Sequence, residues 1–455
     1  MHHQGHGHDV LTQAVVRTAV ARLRLDPPPL DGPCSPTELR AMAGETITAD
    51  GIGGLEALRI FDEVLARACI SIDHPRFLAF VPAAPTEAAT LFDLLVGACS
   101  IYGGSWMEGA GAVYAENQAL RWLADLAGLP PTSGGVFVSG GTIGNLSALT
   151  AARYAWREGD PERARRRGLI VAGGGAHSSI ASAARVMDAD IVRVPVDDRG
   201  RTGAEALQAT IDALDPADAA RVFAVVVTAG TTNVGVVDDI GAAADIAEAL
   251  GVWLHVDAAY GGAALAAPSV RHHFNGIELA DSFIVDPHKW LFAPFDCCAL
   301  LYRDPLVARR AHTQHAEYLD VLHDPADADW NPSDFAIHLS RRPRGLPFWF
   351  SLATYGTRRY SEAIEASIAL ARESAAIIKG EQHLELILEP ELSVVMFRRV
   401  GWSHDQYNEW SDAMLAKGDS FVVPTAWRGE TVLRFCFVNP RTTLDDVEAI
   451  VASLV

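Results

Sequence analysis

At 455 residues, 49% hydrophobic with 38 glycines and 24 prolines, the chain is long enough for two or three packed units and has the composition of a folded α/β protein. Its formal net charge of −20 and pI near 5.2 argue against nucleic acid or an anionic membrane as the main partner, because such binding draws on clustered Lys and Arg. The apolar runs are of strand length or, as in 77–101, interrupted by Glu87 and Asp93, so no membrane span is expected.

The start, from His2 to His8, is rich in histidine and reads as a polar tail, with weak metal binding as the alternative. No metal site is expected elsewhere. No apolar leader follows basic residues, and the six cysteines form no CxxC pair or disulfide framework, so a reducing cytoplasm is the expected compartment.

Residues 9–70 read as helical, broken by the proline-rich 26–36. A further amphipathic helix is expected over 113–127, closed by Gly128, Pro130 and Pro131. Strands then alternate with helices. Strands are expected at 135–139, 169–172, 191–194, 222–228, 252–256, 282–285 and 298–302, and helices at 145–156, 179–187 and 240–250. Such alternation implies a mainly parallel sheet covered on both faces. Residues 311–335 are polar and without period, as in a long functional loop. A helix is expected over 349–370, strands at 394–397 and 432–438, and a last helix from Leu444. The expected units are an N-terminal helical arm (1–70), a large α/β domain (71–350) and a small α+β domain (351–455).

In open α/β sheets ligands sit at the carboxyl ends of strands, and five segments fall there. Ser139–Asn145 is a glycine-rich turn opening a helix, where backbone amides and the helix dipole favour a phosphate; a turn that merely packs reads the same way. His177 follows the next strand and could stack on a ring or cap a helix. Thr228–Thr232 offers hydroxyls and amides to a phosphate or a cofactor oxygen, or is simply a turn. Asp257 ends an apolar strand, where a carboxylate is costly without a partner; a helix N-cap is one such use and a pyridinium nitrogen another. Lys289 follows the strand after that. Lysine occurs three times in this chain, at 289, 379 and 417, among 37 Lys plus Arg. Arg cannot form a Schiff base and Lys can, so a lysine kept between Asp286-Pro287-His288 and Trp290 reads as a reactive amine. Together these segments supply a phosphate cradle, a stacking group, a pyridinium partner and a Schiff-base amine, which is the set that pyridoxal 5'-phosphate (PLP) needs.

HVDAAYGGA (255–263), DPHKWLFAPFDCCALL (286–301) and LSRRPRGLPFW (339–349) resemble the group II PLP-dependent decarboxylases, the family of aromatic-L-amino-acid and glutamate decarboxylases. The resemblance runs from His74 to Thr443. It implies the fold-type I, aminotransferase-like architecture and a homodimer with its active site at the interface, wrapped by the N-terminal arm. It implies Lys289 as the Schiff-base lysine, Asp257 as the pyridinium partner, His177 against one face of the ring and Ala259 against the other. Gly141, Thr142, Thr231 and His288 would surround the phosphate, and Phe80, Pro82 and Trp106 would shape the substrate pocket. The implied activity is decarboxylation of an L-amino acid, aromatic or large and apolar, to CO2 and an amine.

Two departures bear on chemistry. SGGTIGN (139–145) stands where the family has a Gly-Gly-Ser-Glu-Ala-Asn type of turn. The family's loop before the double arginine carries a proton-donating tyrosine, and counting back from Arg341-Arg342 without gaps gives Pro332. Tyr318 is the nearest tyrosine and the first candidate donor, followed by His312, His315 and His323. Relatives in which that tyrosine is phenylalanine resemble oxygen-dependent aldehyde synthases, the alternative activity. Gly104, where aromatic-specific relatives are bulkier, suggests extra room.

Overall fold

A computed structural model describes residues 6–314 and 330–455. Seven strands form the large sheet: β1 (Gly134–Val138), β2 (Leu169–Gly173), β3 (Asp190–Val194), β4 (Val222–Thr228), β5 (Trp253–Asp257), β6 (Ser282–Val285) and β7 (Cys298–Tyr302), in the order β1-β7-β6-β5-β4-β2-β3. The run β6-β5-β4-β2-β3 is parallel, and β7 inserts antiparallel between β6 and β1. All of β4 is buried, as expected for a strand covered on both faces. The helix Gly141–Arg157 covers one face through Ala148, Leu149, Ala151 and Ala152; the helix Ile240–Leu250 packs Ala243 and Ala247 into the main core.

Four strands form a second, antiparallel sheet: β8 (Leu384–Leu388), β9 (Val394–Arg399), β10 (Pro424–Trp427) and β11 (Glu430–Cys436), in the order β10-β11-β9-β8. Its core joins Phe397 and Phe435 to Ile378, Trp410 and Val447 from three helices. Leu78 belongs to this core as well, and its backbone bonds to Phe421 and Cys436. The segment around Leu78 therefore packs with the second sheet.

The N-terminal region is helical at His6–Leu23, Pro36–Ala43 and Gly54–Ile60. Pro36–Ala43 begins with a capping box between Ser35 and Glu38. Among the described residues no helix is long and apolar enough to cross a membrane, and no cluster of His, Cys, Asp and Glu has the arrangement of a metal site.

Three expectations are corrected. The helix expected from 113 begins at Trp106, because Ser105 caps it by accepting from Glu108 N. The helix expected over 349–370 is two, Leu346–Tyr355 and Thr357–Gly380, parted by Gly356 in a left-handed φ of +77°. The stretch 311–335 is not one loop. The helix Pro305–His312 runs into its start, and at its end Trp330 stacks on Phe335 at 4.0 Å while Ser333 N donates to Gly104 O at 3.0 Å. Pro332 is thus buried in a short turn that packs against Gly104. Tyr318, His315 and His323 lie outside the described residues.

Candidate active site

The carboxyl ends of β1, β4, β5 and β6 open into a cavity of about 480 Å³. It is lined by Gly141, Thr142, His177, Asp257, Ala259, His288 and Lys289 together, residues that the chain separates by more than a hundred positions. A larger cavity of about 640 Å³, lined by Arg22, Phe292, Tyr360 and Arg441, contains none of them.

Asp257 is buried at the end of β5. Its Oδ1 accepts from Ala259 N at 3.2 Å and its Oδ2 from Asn145 Nδ2 at 2.9 Å. The carboxylate therefore has fixed donors and a cavity-facing side, so it serves no helix as an N-cap. Lys289 Nζ lies 3.0 Å from Asp286 Oδ2. Burial alone would lower the lysine's pKa, but the Asp286 and Asp257 carboxylates hold it above its ordinary value. Burial would likewise raise Asp286, yet the charges of Lys289 and His288 hold it below the usual carboxylate range. Burial depresses the His288 pKa despite Asp286 beside it, and its Nδ1 rests against the Cys297 backbone.

The helix Gly141–Arg157 opens at this cavity with no side chain capping its N-terminus. Its first amides are thus left for an anion. A Cβ at Gly141 would sit 3.3 Å from Asp286 Oδ2 and 3.4 Å from Ala259 Cβ, so the glycine keeps the turn close to the site floor. Thr228, at the end of β4, lines the same cavity, and its buried hydroxyl has no partner among the described residues. An uncapped helix terminus, an orphan hydroxyl, a buried carboxylate and an amine around one cavity fit PLP: Lys289 to hold its aldehyde carbon, Asp257 its ring nitrogen, and the Gly141 turn its phosphate.

Several expected residues fall elsewhere. Thr231 is buried and its hydroxyl accepts from Val236 N at 3.3 Å within its own turn, while Thr228 and Thr232 line the cavity instead. Pro82 and Trp106 do not line it; Phe80 and Val81 do. Trp106 starts a helix, with its amide donating to Asn331 Oδ1 at 2.9 Å. Gly104 opens no room, since a Cβ there would collide with the Tyr102 phenol. His312 is buried, bonded to Ser147 O at 3.0 Å, and burial pushes its pKa down to about 4, so it is a neutral structural group.

Three further residues belong to the site. Asn145 closes the glycine-rich motif and bonds to Asp257. Phe295 lies on the cavity wall with its ring 4.7 Å from that of His288. Arg434 reaches in from β11 and donates to Phe80 O at 2.9 Å, with its other terminal nitrogen buried and unpartnered.

The chain matches the pyridoxal-dependent decarboxylase conserved domain over residues 55–400. It is 31% identical over 419 residues to an aromatic-L-amino-acid decarboxylase of Bacillus atrophaeus, covering 90% of this chain and 86% of that one. It is 28% identical to an L-2,4-diaminobutyrate decarboxylase of Acinetobacter baumannii, covering 92% and 86%. Among solved structures, Oryza sativa TDC with PLP and tryptamine superposes with a TM-score of 0.88 at 26% identity, covering 98% of this chain and 96% of that one.

Proposed function

The chain belongs to the pyridoxal-dependent decarboxylase family, and from that premise we propose that its substrate is an L-amino acid with an aromatic or large apolar side chain, which it converts to CO2 and the amine. The enzyme is a PLP-dependent amino acid decarboxylase. The carrying observation for the substrate class is the cavity wall of Phe80, Val81 and Phe295 beside the Lys289 amine.

When bound, PLP supplies a sink for the electrons left at the α-carbon as CO2 departs. This chain's residues provide the setting. Asp257 would hold a proton at the pyridine nitrogen. His177 and Ala259 would lie against the ring. The Gly141 and Thr142 amides would hold the phosphate, with His288 beside them. Lys289 would hold the aldehyde carbon, and Asp286, 3.0 Å from its amine, would keep the free amine charged.

The same reading includes a homodimer. The helix Glu87–Cys99 exposes Leu91, Leu94 and Leu95, and the next helix exposes Met107 and Tyr114, so two adjacent helices present apolar side chains without cover in one protomer. A partner seated there brings the Trp106 segment to an interface, where a pocket role for Trp106 would lie. All six cysteines are free, which supports a reducing, cytoplasmic setting.

The test is incubation with a panel of L-amino acids, scored for CO2, amine, aldehyde and peroxide. Amine equal to CO2 with an aromatic substrate is expected. Turnover confined to acidic or diamino acids would overturn the substrate class. Peroxide and aldehyde in step with CO2 would replace the amine-forming activity.

A further inference from the structure

Behind the cavity, His255 on β5 is completely buried, and so is Ser282 on β6. His255 Nε2 is 2.8 Å from Asn145 Oδ1 and its Nδ1 is 2.8 Å from Ser282 Oγ, which also accepts from Trp253 Nε1 at 2.8 Å. Asn145 Nδ2 donates in two directions, to Asp257 Oδ2 and to Ser179 Oγ, each at 2.9 Å. Ser179 Oγ is in turn 2.9 Å from His177 Nδ1, and Ser179 N donates to the same nitrogen at 3.2 Å.

The direction of each bond follows from which groups can donate. A carboxylate only accepts, so Asn145 must turn its NH2 toward Asp257 and its oxygen toward His255. His255 must then carry its proton on Nε2. Burial pushes its pKa down to about 4, so it is neutral and its Nδ1 accepts from Ser282. On the other branch, a backbone N–H can only donate, so His177 Nδ1 is an acceptor and a neutral His177 carries its proton on Nε2. Ser179 accepts from Asn145 and donates its own proton to His177.

We propose that Asn145 is a positioning residue that joins the ring-nitrogen partner Asp257 and the ring-covering His177 into one directed hydrogen-bond network, with buried His255 fixing the amide's orientation and His177 held as the Nε2–H tautomer. One amide thereby sets both groups relative to each other. Its departure point is the helix that also carries the Gly141 turn, so phosphate cradle, ring-nitrogen partner and stacking group share one rigid support. The inference rests on the assignment of this cavity to PLP but not on the substrate class.

The full-length enzyme, loaded with PLP and stripped of it, is labelled with 15N-histidine and compared with Asn145→Ala, Ser179→Ala, His255→Gln and His255→Leu. In the unmodified protein both His177 and His255 should show a protonated Nε2 and an unprotonated Nδ1. Asn145→Ala and Ser179→Ala should both move the His177 Nδ1 resonance, because the hydroxyl donor is freed or lost while the Ser179 backbone N–H keeps the Nε2–H tautomer, and His288 should keep its signals. Asn145→Ala should also weaken PLP binding, measured by fluorescence titration, roughly ten- to a hundredfold, the cost of losing a hydrogen bond to a buried charge. His255→Gln keeps a donor facing Asn145 and should bind PLP within a few fold of the unmodified protein; His255→Leu should not. A His177 protonated on Nδ1 would overturn the proposal. So would an Asn145→Ala variant with unchanged His177 and His255 ring-nitrogen resonances and unchanged PLP affinity, or equal affinities in the two His255 variants. Failure of the PLP assignment itself would show differently, as an absence of saturable PLP binding in the unmodified protein.

Discussion

The Lys289 amine and the Asp286 carboxylate, three residues apart, lie 3.0 Å from each other at the foot of the cavity. Burial opposes both charges, and each charge is what sustains the other. The lysine's raised pKa means that its share of the stability is present at neutral pH and is lost as pH rises through the folded value. The aspartate's lowered pKa means that its share is lost as pH falls through its folded value. Asp286→Asn removes the nearest charge that keeps Lys289 protonated. In PLP-free protein, labelling of Lys289 by an amine-reactive reagent should then begin at lower pH than in the unmodified protein. Lys379 and Lys417 serve as internal controls in the same peptide map. An unchanged pH profile at Lys289 would show that Asp286 does not govern its charge.

Asp257→Asn tests the ring-nitrogen assignment. The substitution keeps the volume and the hydrogen bond from Ala259, but removes the negative charge at the end of β5. CO2 release should fall by about a hundredfold or more, the scale seen when one preorganised electrostatic group is lost. PLP should still bind saturably through Lys289 and the Gly141 turn, with an affinity lowered at least as far as in Asn145→Ala, because the charge that Asn145 supports is gone. Turnover within a few fold of the unmodified enzyme would move the role elsewhere.

Most of the large sheet is legible in the sequence because strands such as β2, β4 and β6 are short apolar runs, each followed within a few residues by a motif. Asp257 and Lys289 stand out for the same reason: a carboxylate and a rare lysine directly after apolar strands. The small sheet is harder to read. β8 and β10 are short and only partly buried, so neither shows a clean apolar run, and both depend on pairing with β9 and β11. Arg434 gave no local signal, since its partner Phe80 lies 354 positions away. Asn145 was visible within the glycine-rich motif, but its bonds to β5 and to Ser179 are a product of tertiary packing. Thr231 does not line the cavity, and a turn of two threonines does not reveal which hydroxyl accepts from its own backbone.

Arg434 donates to the Phe80 carbonyl, and Phe80 holds a left-handed φ of 54°, unusual for an aromatic residue. The guanidinium thus fixes the rim residue that closes one side of the cavity. Arg434→Met should raise KM for an aromatic substrate about tenfold, from the loss of a charge-assisted hydrogen bond, with a smaller change in kcat. Arg434→Lys, which can still offer one charged donor to that carbonyl, should restore part of the loss. Equal KM values in all three proteins would remove Arg434 from substrate binding.

Reprotonation of the α-carbon decides whether the product is amine. Pro332 is buried in a short turn and has no proton to give, and His312 is a neutral group bonded to Ser147. Tyr318, outside the described residues, is the remaining phenol in that stretch of sequence and the proposed donor. Tyr318→Phe should therefore slow amine release, and the longer-lived carbanion should meet oxygen more often, so aldehyde and peroxide should rise at the expense of amine while CO2 release continues. The ratio of amine to aldehyde, measured in air and under nitrogen, reads this directly: the variant should regain amine under nitrogen. If the ratio in Tyr318→Phe equals that of the unmodified enzyme in air, Tyr318 is not the donor, and His315→Gln and His323→Gln are the next substitutions to score by the same ratio.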